Sequence, residues 1–251
     1  VYTGNFTVPT GPLTATQSAS TNINAITAGQ CTVLTCQSNK FVDNSSLASA
    51  VTVIGGSPTV QRFNPFLPSS SYSASTVGGS TYFDGSSYIQ ISAPSLPITN
   101  WTTKFTLEYW IYASSFASGA NSETNVLGNA NNAGSGDNWS FGPISGGTVK
   151  WYYYNGAIQS LTTSTALGTN QWYHLAFVNN AGSMTIYING VSSATGTVSG
   201  TIVSNTFTIN GSSITTGTSI SACATAINGA DRKSTRLNSS HTDISRMPSS
   251  A

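Results

Sequence analysis

Residues 171–191, QWYHLAFVNNAGSMTIYINGV, constrain the fold more tightly than any other stretch. Residues 173–178 are a run of large and apolar side chains, with Tyr173, Leu175 and Phe177 on one alternating face and Ala176 and Val178 on the other. A strand that is dry on both faces belongs in the middle of a sheet. Asn179, Asn180, Ala181 and Gly182 follow, and Asn and Gly tolerate the positive φ that a tight reversal needs. Residues 183–189 then alternate, with Met184, Ile186 and Ile188 facing one way and Thr185, Tyr187 and Asn189 the other. A period of two with one dry face is strand periodicity. Asn189-Gly190 closes the second strand with a further turn signal.

The same theme recurs along the chain. In residues 105–113, Phe105, Leu107, Tyr109 and Ile111 share one face, and Thr106, Glu108, Trp110 and Tyr112 the other. Shorter strands are expected at 32–35, 51–54, 125–128, 139–141, 148–154, 157–161, 200–203 and 206–210. Residues 78–91 read as two strands turning at Asp84-Gly85-Ser86, and Asn155-Gly156 and Asn210-Gly211 as further turns. Residues 62–68, RFNPFLP, are an irregular aromatic segment broken by prolines, and residues 117–137 a long polar loop. No helical period is evident, and short strands between Gly, Asn and Ser clusters predict an all-β sandwich or barrel. Charged residues are 6% of the chain, against about 25% in an average soluble protein. Ser, Thr, Asn and Gly fill the gap, so solubility rests on hydroxyls and amides. No apolar run is long enough to span a bilayer.

Three segments carry a family resemblance. Trp172, His174-Leu175-Ala176-Phe177-Val178 and Tyr187-Ile188-Asn189-Gly190 resemble the central hairpin of laminin G-like domains, of the concanavalin A-like lectin/glucanase superfamily. Gly79 to Gly85, GSTYFDG, with Ser87-Tyr88-Ile89-Gln90-Ile91 is similar to a second signature. Phe105-Thr106-Leu107-Glu108-Tyr109-Trp110-Ile111 is similar to a third. The resemblance implies an all-β, two-sheet antiparallel jelly-roll sandwich. It implies a non-catalytic module that binds a glycan or a cell-surface protein, in an extracellular, cell-surface or virion setting such as a tail fibre. The alternatives are a structural spacer repeat and a jelly-roll glycan hydrolase. It also implies calcium at the sandwich rim, and a closing strand that residues 214–230 do not contain.

Few residues carry candidate chemistry. Glycoside hydrolysis generally needs two carboxyls about 5 Å apart in the retaining case. Glu108 has no acidic partner in Glu108-Tyr109-Trp110-Ile111-Tyr112, so it is expected to be a packed strand acid. His174 is the only histidine before residue 241 and reads as structural, since acid–base chemistry needs convergent partners. Cys31, Cys36 and Cys223 show no metal spacing and are expected to be small thiols. Asp43, Asp84 and Asp137 are loop acids that suit a hard cation, with Asp84 and Asp137 the expected calcium ligands. Asp137 and Asn138 end the long loop and are expected ligand contacts. Trp139, Tyr152 and Tyr154 join them, because an exposed aromatic ring can stack on a sugar. In Trp151-Tyr152-Tyr153-Tyr154 alternate residues face opposite sides, so one pair is core and the other exposed.

Residues 1–29 are expected to be the end of a preceding module, VYTGNFTVPTGP, and a Thr/Ser/Ala-rich linker, and residues 30–230 the sandwich. Residues 231–251 resemble the in-frame translation of a sequencing adapter, so the chain reads as a fragment of a longer repeat protein. Without that tail the formal charge of +1 becomes −1, from four basic and five acidic residues. No basic patch remains, which removes the electrostatic basis for nucleic-acid binding.

Overall fold

A computed structural model describes residues 1–35, 37, 40–56, 58–66, 79–84, 88–91, 103–116, 127–128, 139–154, 158–197, 206–209 and 212–215. The chain divides into two compact units, Val1–Val198 and Ser199–Ala251. In the first unit the strands are β1 (Val51–Ile54), β2 (Thr59–Gln61), β3 (Ser80–Tyr82), β4 (Tyr88–Ile91), β5 (Phe105–Tyr112), β6 (Leu127–Gly128), β7 (Trp139–Pro143), β8 (Thr148–Tyr154), β9 (Ile158–Ala166), β10 (Trp172–Asn180), β11 (Ser183–Ile188) and β12 (Val191–Thr197). In the second, β13 (Thr206–Ile209) and β14 (Ser212–Thr215) form an antiparallel hairpin.

Among the described residues, two four-stranded antiparallel sheets dominate, ordered β12-β11-β10-β5 and β6-β7-β8-β9. The apolar run at β10 is central, as its two dry faces require, with β11 on one side and β5 on the other. The reversal after β10 is tighter than the sequence suggests. Asn179 and Asn180 still pair with β11, and the positive φ falls on Ala181 and Gly182 alone. Asn179 is buried and braces this turn. Its Oδ1 accepts from Gly182 N–H at 2.9 Å and its Nδ2 donates to the Thr103 carbonyl at 2.7 Å.

The inner faces of the two sheets share one core. Phe105, Leu175, Phe177, Met184 and Ile186 come from the first sheet and Trp139, Phe141, Val149 and Trp151 from the second, with Leu167 beside them. Phe177 meets Phe141 across the gap at 4.6 Å between ring centroids. Fully burying one such side chain stabilises the fold by about 1.5–3 kcal/mol. This is the antiparallel β-sandwich that the resemblance implies, one of the two all-β architectures that the strand periodicity predicts.

The first sheet buries part of its outer face as well. Ala176, Val178 and Tyr187 lie under Tyr2 and Phe6, with Val1, Val8 and Ile23 around them. The segment read as the end of a preceding module thus packs on this sandwich. Three expectations about strands are corrected. Residues 32–35 form no strand; the Leu34 carbonyl instead accepts from Asn44 N–H at 2.7 Å. The 78–91 segment is not a hairpin: β3 pairs with β2, and β4 pairs with β1. Each strand finds a distant partner, so a turn signal between them does not set their pairing. Ser212–Thr215 is a strand where none was expected. Residues 200–203 and 231–251, and the turns at 155–156 and 210–211, lie outside the described residues.

Candidate functional site

The outer face of the β5–β10 pair gathers the polar chemistry of the sandwich. Register places Glu108 opposite Ala176 and Trp110 opposite His174, so Glu108 and His174 are diagonal neighbours on one face. His174 Nε2 lies 3.1 Å from Glu108 Oε2, and the Nε2–H tautomer donates to that carboxyl. The same Oε2 accepts from the Tyr2 hydroxyl at 2.6 Å. His174 N–H donates to Asn189 Oδ1 at 2.8 Å, tying the strand to the turn after β11. The imidazole is fully buried and Glu108 is 15% exposed. Phe6 and Trp110 meet the imidazole ring edge-on at 5.8 and 5.2 Å. Burial pushes the Tyr2 hydroxyl above its usual pKa range, and the charge of Glu108 and the bond to it add to that. Tyr2 is therefore a constant donor at ordinary pH. Glu108, His174 and Tyr2 form a covered polar brace beneath the N-terminal segment.

The other end of this face is open and aromatic. Trp172 and Tyr112 are register partners, their ring centroids 5.5 Å apart. Phe63, from the proline-flanked segment, closes a trio with them at 4.8 Å from Tyr112 and 5.1 Å from Trp172. Phe63 is 53% exposed and Tyr112 38%. Asn64 fixes the bend that presents Phe63: its Nδ2 donates to the Arg62 carbonyl at 2.8 Å and its Oδ1 accepts from Phe66 N–H at 2.9 Å. Phe66 meets Trp110 edge-on at 5.5 Å, which joins the trio to the covered half of the face. Exposed Asn170 and Gln171 stand just before Trp172 in the chain. The arrangement offers apolar rings at the surface, while the Gln171 amide donates to the Tyr173 hydroxyl at 2.5 Å.

Of the residues expected to hold a ligand or metal, the structure describes Trp139, Tyr152 and Asp84. Trp139 is only 7% exposed, within the core shared by the two sheets. It is thus a packing residue, because β7 turns it inward. Trp151 faces the same core, so Tyr152 faces the opposite side of its sheet, where Lys150 Nζ sits 5.6 Å from its ring centroid. Asp137, Asn138 and the side chain of Tyr154 lie outside the described set. Asp84 is exposed beyond β3. Among the described residues, no three His, Cys, Asp or Glu side chains converge as a metal would require.

Asp43 is a loop organiser. Oδ1 accepts from the N–H groups of Leu34 and Ser45, and Oδ2 from Ser49 N–H and the Ser45 hydroxyl, each at 2.9 Å. Burial pushes its carboxyl up, but these four donors outweigh burial and hold the pKa below the ordinary value. The carboxyl is committed to the 34–49 loop. Burial, with the charge of Asp43, raises the Cys31 thiol, which disfavours the reactive thiolate. Cys36 and Cys223 lie outside the described residues.

The local sequence pattern shows Glu108 and His174 only separately and does not single out Phe63, Tyr112 and Trp172. Aligning the two strands through the long apolar run would have paired the first two, since both occupy the face opposite the core. Phe63 gave no such signal, because an irregular segment has no period.

Among known families, residues 83–230 match the model of the concanavalin A-like lectin/glucanases superfamily. None of the curated proteins compared matches the chain. Among solved structures the chain is similar to domain 4 of AbnA, a GH43 extracellular arabinanase from Geobacillus stearothermophilus, in complex with arabinotriose. The identity is 18%, over 62% of this chain and 69% of that one, with a TM-score of 0.47. No helix among the described residues is long and apolar enough to cross a membrane. The family match covers more than half of the chain, which belongs to the concanavalin A-like lectin/glucanases superfamily.

Proposed function

We propose that this superfamily member is a non-catalytic glycan-binding module of a larger extracellular, surface or virion fibre protein, and that it binds through Phe63, Tyr112 and Trp172. The supporting observation is the trio, Phe63 and Tyr112 exposed and Trp172 half-buried beneath them, with centroids 4.8 to 5.5 Å apart. Aromatic faces stack on the apolar faces of sugar rings. A hydrolytic role for Glu108 is disfavoured by its setting. Its Oε2 already faces the Tyr2 hydroxyl and His174 Nε2, and the N-terminal segment covers it.

Binding of the full chain to a glycan array, with calcium and with chelator, tests this reading. Phe63 is exposed, so Phe63→Ala is expected to leave the melting temperature within a degree or two and to weaken binding. The loss is about 1 kcal/mol, or roughly fivefold. Binding that needs calcium and ignores Phe63→Ala would move the site to the rim loop. Asp84, Asp137 and Asn138 would then be the contacts, and the aromatic reading would fall. No binding by a folded chain would favour the spacer role.

A further inference from the structure

The open end of the β5–β10 face continues inward as a patch of four side chains. Trp110 stands opposite His174 and Tyr112 opposite Trp172, and residues two apart along a strand share a face. Three polar atoms of this patch, Trp110 Nε1, Trp172 Nε1 and His174 Nδ1, are buried and find no hydrogen-bond partner among the described residues. His174 is fully buried, and its Nε2 is committed to Glu108. With the proton on Nε2, Nδ1 is an acceptor. The patch thus holds two idle donors and one idle acceptor. Folded proteins pair nearly all their buried polar groups, and a cluster of exceptions calls for a cause.

Residues 63–66 lie over this patch with rings that carry no polar atom. Phe66 meets Trp110 edge-on at 5.5 Å, and Phe63 lies 5.1 Å from Trp172. Asn64 braces the bend internally, between the Arg62 carbonyl and Phe66 N–H, and the Ser80 hydroxyl donates to the Phe63 carbonyl. The segment is therefore a preformed unit anchored on β3, and it meets the patch through its rings. A centroid separation of 5.1 Å leaves no space for a sugar between Phe63 and Trp172, since two contacts of about 4 Å need roughly 8 Å.

We infer that Trp110, Trp172 and His174 form an inner subsite for a neutral, hydroxyl-rich glycan, reached when residues 63–66 lift and then close on the sugar's outer side. The inference rests on the glycan reading and deepens it. Sugar oxygens accept from the two indole N–H groups, and a sugar hydroxyl donates to His174 Nδ1. A carboxylate or sulfate would accept from the indoles, but it has no proton for Nδ1 and would meet the Glu108 carboxyl. Phe63 remains a contact, with the glycan between it and Trp172.

The probe is an array of neutral and acidic glycans, applied to the full chain and to Trp110→Phe, which keeps a ring and removes the N–H. Binding to neutral glycans is expected, weakened about fivefold in Trp110→Phe by the loss of one hydrogen bond. Phe66→Ala thins the cover and is expected to bind the same glycans at least about threefold more tightly, because a larger fraction of the chain is open. In nitrogen–proton spectra of the unsubstituted chain, the bound glycan is expected to move the indole N–H signals of both Trp110 and Trp172. Unmoved signals with glycan bound overturn the inference, even if neither variant folds. A folded Trp110→Phe that binds as the unsubstituted chain does overturns it too, and a loss on Phe63→Ala would then leave the outer trio standing. Preference for acidic glycans overturns it as well. A folded chain that binds nothing on the array overturns this inference and the glycan reading together.

Discussion

Asp43 accepts four hydrogen bonds from the loop it organises. Asp43→Ala would leave three buried or half-buried N–H groups without an acceptor, whereas the Ser45 hydroxyl keeps the Thr32 carbonyl at 3.0 Å. The expected loss is about 1–3 kcal/mol, read as a lower midpoint in urea. The pH dependence follows from the sign of the shift. The folded pKa lies below the unfolded one, so the stabilisation is present above about pH 4 and is lost as pH falls through the folded value. Asp43→Asn is expected to flatten that acid limb of the stability profile. Glu108 makes a second residue-scale case. Glu108→Ala strips a partner from both the Tyr2 hydroxyl and His174 Nε2, whereas Glu108→Gln keeps an acceptor. The alanine variant is expected to be the less stable of the two by about 1–3 kcal/mol, as their melting curves would report.

At the scale of elements, the turn between β11 and β12 controls the N-terminal segment. Asn189 and Gly190 both have positive φ, at 50° and 76°, which is the two-residue hairpin turn that their pairing announces. Gly190 has a second duty. A Cβ there would run into the Phe6 carbonyl, where the chain of the segment passes over the turn. Gly190→Ala is expected to add strain of about 1 kcal/mol and to push the segment off its edge. Faster amide hydrogen exchange at Phe6 and Ser192, with unchanged protection at Phe177, would be the signature. Equal protection at all three sites would show that the segment does not depend on this close approach.

For the first unit as a whole, cohesion rests on few large side chains. Phe177 is fully buried and touches the ring systems of Phe141 from the opposite sheet and Tyr109 from its own. Phe177→Ala is expected to destabilise by about 3–5 kcal/mol, a large part of a typical domain's margin of about 5–15 kcal/mol. Calorimetry should show both four-stranded sheets melting together at a lower temperature. Two separate transitions would mean that the sheets do not share one cooperative core.

The sequence by itself determined the class of the molecule. A period of two, turn dipeptides and a doubly dry run at 173–178 are local signals, and they specify β10, β11 and β5 and the side each residue faces. They specify this because alternation along a strand is a property of the backbone alone. The tertiary structure decided what the faces meet. Trp139 and Tyr152 are both strand aromatics, and only the second sheet's orientation makes one core and the other outward-facing. Glu108 and His174 become partners only when β5 and β10 align, and Phe63 joins Tyr112 and Trp172 only when an aperiodic segment folds back over them. Such contacts join residues far apart in sequence, and their register is set by the packing of the whole core.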